Sequence, residues 1–298
     1  MSRSRRFFRT VTNYAIKKKR LGIANYDVTS KCNLNCEHFY LKKTKNPKKD
    51  LTDKEWEKIF LEQKKKGITM VHLTGGEPAL RPNVIKAADR IFDFVAVVSN
   101  GTVKIPEDIQ RRIFVSIDGP KEIHNKIRGG DFFDKILKNI KDDKRVILTP
   151  TLTTTNHRYI DDMIKIARDS NVDGITFSTY TSHNAKNDPL LLKGKELDWT
   201  IQKLKAALKN NRDILFLTPY TIGLLKSKKY RNTCPFKKDV IAFDARMKVK
   251  RPCPLGAGVD CTTCGCIVPL ITYALVHADV KTWFLFDRLF PERYVKSR

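Results

Sequence analysis

Residues 32–40 read Cys32-Asn33-Leu34-Asn35-Cys36-Glu37-His38-Phe39-Tyr40, close behind the apolar run 23–28. A second apolar run, 68–73, ends in Thr74-Gly75-Gly76-Glu77-Pro78. A third, 94–98, ends in Ser99-Asn100-Gly101, and a fourth, 113–117, carries Ser116 and ends in Asp118-Gly119-Pro120. Short β-type runs bounded by such residues predict strands; further ones lie at 145–152, 174–179 and 214–218. Between most of them sit helical patterns. Thr52-Asp53-Lys54-Glu55 is a capping-box start for a helix that buries Trp56, Ile59 and Phe60 and stops at Gly67. Other helices are expected around 83–92, 132–141, 158–168 and 197–208. Repeated strand-helix alternation predicts an α/β fold whose parallel sheet is closed or partly closed into a barrel, with the site built by loops that follow the strands. Each polar motif quoted above falls in that place.

A chain of 298 residues can bury a full core, and it suits one large domain with an appendage. Its 58 Lys and Arg against 32 Asp and Glu give a net charge of +26, unevenly spread. Arg3, Arg5, Arg6, Arg9, Lys17, Lys18, Lys19 and Arg20 all precede the first acid, Asp27. Phe7, Val11 and Tyr14 fall at helical spacing, so residues 1–22 suit either a basic amphipathic helix on an anionic membrane surface or a solvated lysine-rich face. Nucleic acid ranks below both, because no helix-turn-helix or zinc-finger pattern accompanies the charge. The longest apolar stretch, 267–276, is too short to span a bilayer, and the start lacks a secretory signal. The expectation is a cytoplasmic chain, with peripheral contact at the inner membrane face as its extension.

The seven cysteines are Cys32, Cys36, Cys234, Cys253, Cys261, Cys264 and Cys266. In a reducing compartment such tight spacing means metal ligation more often than disulfides. Cys261-Thr262-Thr263-Cys264-Gly265-Cys266 is too crowded for several independent bridges, yet suits thiolates converging on one cluster.

With these residues in place the chain resembles the radical S-adenosylmethionine (radical SAM) enzymes over roughly residues 20–220. The family's Cys-x3-Cys-x2-Cys loop holds a [4Fe-4S] cluster that reductively cleaves S-adenosylmethionine to a 5′-deoxyadenosyl radical, which abstracts a substrate hydrogen. The resemblance implies a partial (β/α)6 TIM-like barrel over 23–220, with Cys32 and Cys36 as the first two iron ligands. It implies cofactor binding by Gly75, Gly76, Glu77 and Pro78, with the glycines admitting the ligand and the carboxylate meeting its ammonium, and further contacts from Tyr40, Ser99, Asn100, Ser116 and Asp118. His124 and Arg128-Gly129 echo a recurrent family pattern whose plain alternative, a helix cap and surface turn, is preferred here.

One departure stands out. The third cysteine belongs at position 39, where this chain has Phe39 between His38 and Tyr40. Phenylalanine has no donor atom. Three readings follow: a catalytically silent relative, a site rescued by His38 or Glu37, or a lone substitution in an otherwise active framework.

Residues 221–298 resemble the auxiliary-cluster extensions called SPASM or twitch domains. An alternating stretch over 239–251 suits a hairpin, and Cys234, Cys253, Cys261, Cys264 and Cys266 are the implied ligands of an auxiliary iron-sulfur cluster, with zinc as the competing occupant. After it, 270–290 is an aromatic helical end, expected to pack over the barrel mouth, to wall in a hydrophobic substrate or to anchor at an interface. The implied partners are a peptide, protein or hydrophobic small-molecule substrate and an electron donor such as ferredoxin or flavodoxin. Lipid or isoprenoid chemistry, and a silent cluster-binding scaffold, are the alternatives.

Overall fold

The computed structural model describes residues 22–37, 49–291 and 294. The basic N-terminal segment, Phe39 and Tyr40 lie outside the described residues.

Six parallel strands form the frame: β1 (Ile23–Thr29), β2 (Met70–Gly75), β3 (Phe94–Ser99), β4 (Arg112–Val115), β5 (Val146–Leu148) and β7 (Gly174–Ile175), adjacent in that order. Helices return the chain between them: α1 (Asp53–Lys65), α2 (Pro82–Ile91), α3 (Lys121–Arg128), α4 (Phe133–Ile140) and α5 (Ile160–Asp169), followed by α6 (Gly194–Asn210) and α7 (Pro219–Ser227). This is the partial TIM-like barrel the motifs imply.

Local chemistry accounts for the elements. Thr52 accepts from the Glu55 amide while Glu55 reaches back to Thr52, closing the expected capping box at the start of α1. The inner stripe of α1, Trp56 and Phe60, then packs on Tyr26 of β1, with ring centroids 5.8 and 5.4 Å away. Fully burying side chains of this size stabilises by about 1.5–3 kcal/mol each.

Two expected strands are shorter than their patterns. Residues 145–152 divide into β5 and β6 (Thr151–Leu152), with Pro150 between them unable to donate to a ladder. Residues 174–179 divide likewise into β7 and β8 (Ser178–Thr179), which pairs with β6 in a small second sheet at the barrel's C-terminal rim. Residues 214–218 reduce to one bridge, Leu215 with Ile175.

The C-terminal portion is woven into the barrel. β9 (Ile241–Phe243) runs parallel to β1, and β10 (Val249–Lys250) returns antiparallel as the predicted hairpin, with Met247 in the left-handed region at φ 63°. A change near residue 220 is therefore a change in chemistry within one continuous sheet. The aromatic end is broken at Ala278, φ 58°, into α9 (Ile267–Val276) and α10 (Val280–Leu289). Its position corrects the expectation of packing over the barrel mouth, while Phe286 and Phe290 do border the cavity. Phe286 and Phe290 pack on Phe94, at the start of β3, and the buried Arg112 guanidinium at the start of β4 donates to the Leu289 and Arg288 carbonyls. The aromatic helix α10 thus plugs the bottom of the barrel, opposite the mouth. Among the described residues no helix is long and apolar enough to cross a membrane.

Candidate active site

Strand alternation gives the barrel interior its layers. Ile23, Met70 and Phe94 form an apolar floor over α10. Asn25, His72 and Ala96 lie one layer up, matched in register across β1, β2 and β3. Asp27 and Thr74 come next, and the polar loops crown the strands.

Among the described residues the cysteine loop is fastened to those crowns by backbone hydrogen bonds. The Gly76 amide donates to the Thr29 carbonyl and the Glu77 amide to that of Lys31, each at 2.8 Å. A Cβ on Gly76 would sit 1.9 Å from the Lys31 oxygen, and one on Gly75, whose φ is +122°, 2.4 Å from that of Thr29. The glycine pair is therefore required by the contact between β2's end and the cysteine loop, a nearer constraint than approach to a ligand. Glu77 is buried, and its carboxylate accepts from the Ala79 amide, the Ser99 hydroxyl and the Asn100 amide at 2.6–2.8 Å. Burial pushes its pKa up, against these three hydrogen bonds. With about four lone-pair positions on a carboxylate, one remains for a cationic ligand group. Asn100 in turn donates to Asn33 at 2.9 Å and approaches the Cys32 thiol at 3.9 Å. Pro78 is buried as the first residue of a 3-10 turn.

Asp118 and the His-x3-Arg-Gly pattern are placed differently from expectation. Gly129, at φ 74°, is indeed the left-handed cap of α3, but His124 and Arg128 are buried. Arg128 donates from Nε and Nη2 to Asp118 Oδ2 at 2.7 and 2.6 Å, while its Nη1 reaches the Cys36 sulfur at 3.6 Å. The other carboxylate oxygen of Asp118 accepts from the Thr151 amide. Asp118 has no exposed surface, so its carboxylate orients Arg128 against the cysteine loop where a sugar contact was expected. Ser116 does border the cavity.

All seven cysteines line one cavity of about 410 Å³, together with Gly75, Gly76, Glu77, Ser99 and Asn100. Cys234, Cys253 and Cys266 are each pushed up in pKa, first by burial and further by neighbouring thiols; Cys253 reaches about 11. Tyr230 donates to the Cys264 carbonyl, as does Lys228, which burial lowers to about 8. The single glycine between the last two cysteines has a structural cause. Gly265 bridges to Thr179 of β8, and a Cβ there would meet the Thr179 hydroxyl at 1.6 Å. Among the described residues no three His, Cys, Asp or Glu side chains converge closely enough to hold a single metal ion, so these thiols border the cavity as a spread set.

Sequence reading passed over the polar interior. Asn25, Asp27 and His72 interrupt apolar strands at alternate positions, a signal of an inward polar face. Asp27 pairs with Lys250 of β10, closing the sheet edge. His72 is held by burial at a pKa of about 4, against 6.5 in water. Between those values the unfolded chain binds a proton at this imidazole that the folded chain refuses. Its contribution to stability is fully present above pH 6.5 and is lost as pH falls toward 4. Replacing His72 by Phe is expected to remove about 3 kcal/mol of the stability lost between those limits. Urea unfolding of both chains across that range measures it, and identical pH slopes would contradict it.

Comparison with known proteins follows this geometry. The sequence profile of the radical SAM superfamily matches residues 26–147, from within β1 to within β5. Over those residues, about two fifths of its length, the chain is similar to the radical SAM superfamily. Members of that superfamily use a [4Fe-4S] cluster and S-adenosylmethionine. The chain is 28% identical over 167 residues to the protein named "Probable GTP 3′,8-cyclase" of Pyrococcus abyssi, an alignment covering 53% of this chain and 51% of that one. It thus spans about half the length of the curated relatives it matches. In fold it is similar to SuiB of Streptococcus suis bound to precursor peptide SuiA, with a TM-score of 0.64 at 14% identity, covering 96% of this chain and 69% of the other. It is also similar to native anSMEcpe with bound AdoMet, with a TM-score of 0.60 at 19% identity, covering 79% and 75%. At these identities the likeness bears on the fold.

Proposed function

We propose that this chain carries a radical SAM active site at the barrel mouth and a second, auxiliary iron-sulfur site on its C-terminal cysteines, and that its substrate is a peptide. The observation that carries the reading is the single cavity shared by Cys32, Cys36, the Gly75–Glu77 turn and the five C-terminal thiols. Cys32, Cys36 and the Glu77 carboxylate suit the superfamily's cofactors, and Ser99, Asn100 and Ser116 supply further polar atoms at the same rim. The donor set stops short at one point. Phe39 offers nothing to iron, so two thiolates stand where the superfamily uses three, and no cleavage step is derived through this site.

In number and donor type, though not in convergence on a single-ion point, the auxiliary set suits a cluster. Cys234, Cys253, Cys261, Cys264 and Cys266 provide more than the four thiolates a cluster needs, in a loop fixed to the rim by Gly265. A cluster held there would supply an electron path beside the substrate. The likeness in fold to a protein solved with its precursor peptide supports the peptide reading. Electron delivery by a ferredoxin or flavodoxin is part of the same proposal.

The two sites are separated by a chain carrying Cys32→Ala and Cys36→Ala. After anaerobic reconstitution it is expected to retain at least about half of the parent's iron and sulfide, held by the C-terminal thiols. Loss of all iron would remove the auxiliary cluster from the proposal, and one zinc per chain without sulfide would replace it.

A further inference from the structure

Two side chains in the barrel interior carry hydrogen-bonding capacity that the described residues leave unused. Asn25 of β1 and His72 of β2 are register partners in a parallel pair, so their side chains stand side by side on the inner face. Both border the cavity. His72 is 9% exposed and, among the described residues, makes no hydrogen bond. Asn25 is 3% exposed; its carbonyl oxygen accepts from Thr74, and its amide nitrogen has no protein acceptor among the described residues. Neither group is among the sealed, unpartnered polar atoms of the interior; both open onto the cavity, where a ligand can meet them.

The surroundings define what fits. Below the pair lie Ile23, Met70 and Phe94; on the far side of His72 is Ala96, whose small side chain leaves space over β3. One layer up, Asp27 is paired with Lys250, and the layer itself carries no charged side chain among the described residues of β1, β2 and β3. With its low pKa the imidazole is neutral near pH 7, one ring nitrogen donating and the other accepting. Asn25 adds a donor. The pair sits about 10 Å beneath the Gly75 turn, three residues along β2 at roughly 3.3 Å each, on the substrate side of the rim.

We propose that Asn25 and His72 are the recognition point for a planar amide edge of the substrate, an N–H beside a C=O, with the apolar body attached to it seated on the Ile23, Met70 and Phe94 floor. The inference rests on the proposed site at the mouth and names what that site takes. The same edge occurs in a peptide bond and in the lactam face of a purine, so the test separates them.

The test reads binding in the reconstituted protein, without turnover. Histidine ring signals of the isotope-labelled chain are followed by NMR during titration with N-acetyl-leucine N-methylamide, with inosine, and with methyl 4-methylpentanoate, an ester of similar apolar body without the N–H. A saturable shift of the His72 signal by the amide is expected, with binding about tenfold weaker for the ester and for the Asn25→Leu variant. The same response to inosine alone assigns the edge to a purine and keeps the recognition point. Equal response to amide and ester, or a His72 signal indifferent to all three probes up to their solubility, overturns the proposal. Iron counting stays independent of this result, so failure here leaves the cluster reading standing.

Discussion

Phe39→Cys is expected to add about four iron and four sulfide per chain after anaerobic reconstitution, and to raise 5′-deoxyadenosine formation by at least about 100-fold over the parent. The iron figure follows from completing a three-thiolate loop for a four-iron cluster. The rate figure exceeds the 10–100-fold typical of losing an outer-shell partner of a metal site, because here a bond to iron itself is absent. Among the described residues, the part of the cysteine loop ahead of position 39 is already tied to the barrel. Cys32 lies under Asn100, Cys36 under Arg128, and the loop between them is tied to β2 through Gly76 and Glu77. Iron counting and product quantification in parent and variant check the expectation together. Equal iron and equal product in the two chains would show that the third ligand comes from elsewhere, with Glu37 and His38 nearest in sequence. Absence of product from both would favour the cluster-binding scaffold.

Much of this arrangement could be read before the fold was seen, because it rests on local patterns. Strands 23–29, 70–75 and 94–99 are legible as apolar runs, and the loops after them as the only places where Gly-Gly-Glu-Pro or Ser-Asn could face a common mouth. What escaped the sequence depends on who meets whom across the barrel. Arg128 follows an ordinary amphipathic helix pattern and looks like a surface residue; only the packing of α3 under the cysteine loop makes it a buried partner of Asp118. Glu77 reads as a ligand carboxylate, yet its three hydrogen bonds to Ala79, Ser99 and Asn100 are fixed by β2 and β3 lying side by side. The aromatic run 270–290 signals burial but not which end of the barrel it covers. That choice is made by Arg112, whose guanidinium needs the carbonyls of Arg288 and Leu289 at the floor. His72 is harder to read because its alignment with Asn25 exists only once β1 and β2 are in register.

The Asp118–Arg128 pair is the second place where a single change has a large expected effect. Arg128 is 8% exposed and Asp118 is fully buried, so removing either partner strands a charge out of water. Breaking a buried pair in this way costs about 3–5 kcal/mol. Arg128→Met is therefore expected to lower unfolding free energy by that amount in urea titrations of the metal-free chain. Asp118→Leu should cost at least as much, since the Thr151 amide loses its acceptor as well. The double variant separates a charge effect from simple loss of packing. With both charges gone the penalty of the stranded partner disappears, and the double variant should be more stable than Asp118→Leu alone by at least about 1.5 kcal/mol. Strict additivity of the two single losses would show that each side chain acts through its own contacts. The pair would then have no coupled part in holding the Cys36 loop against the barrel.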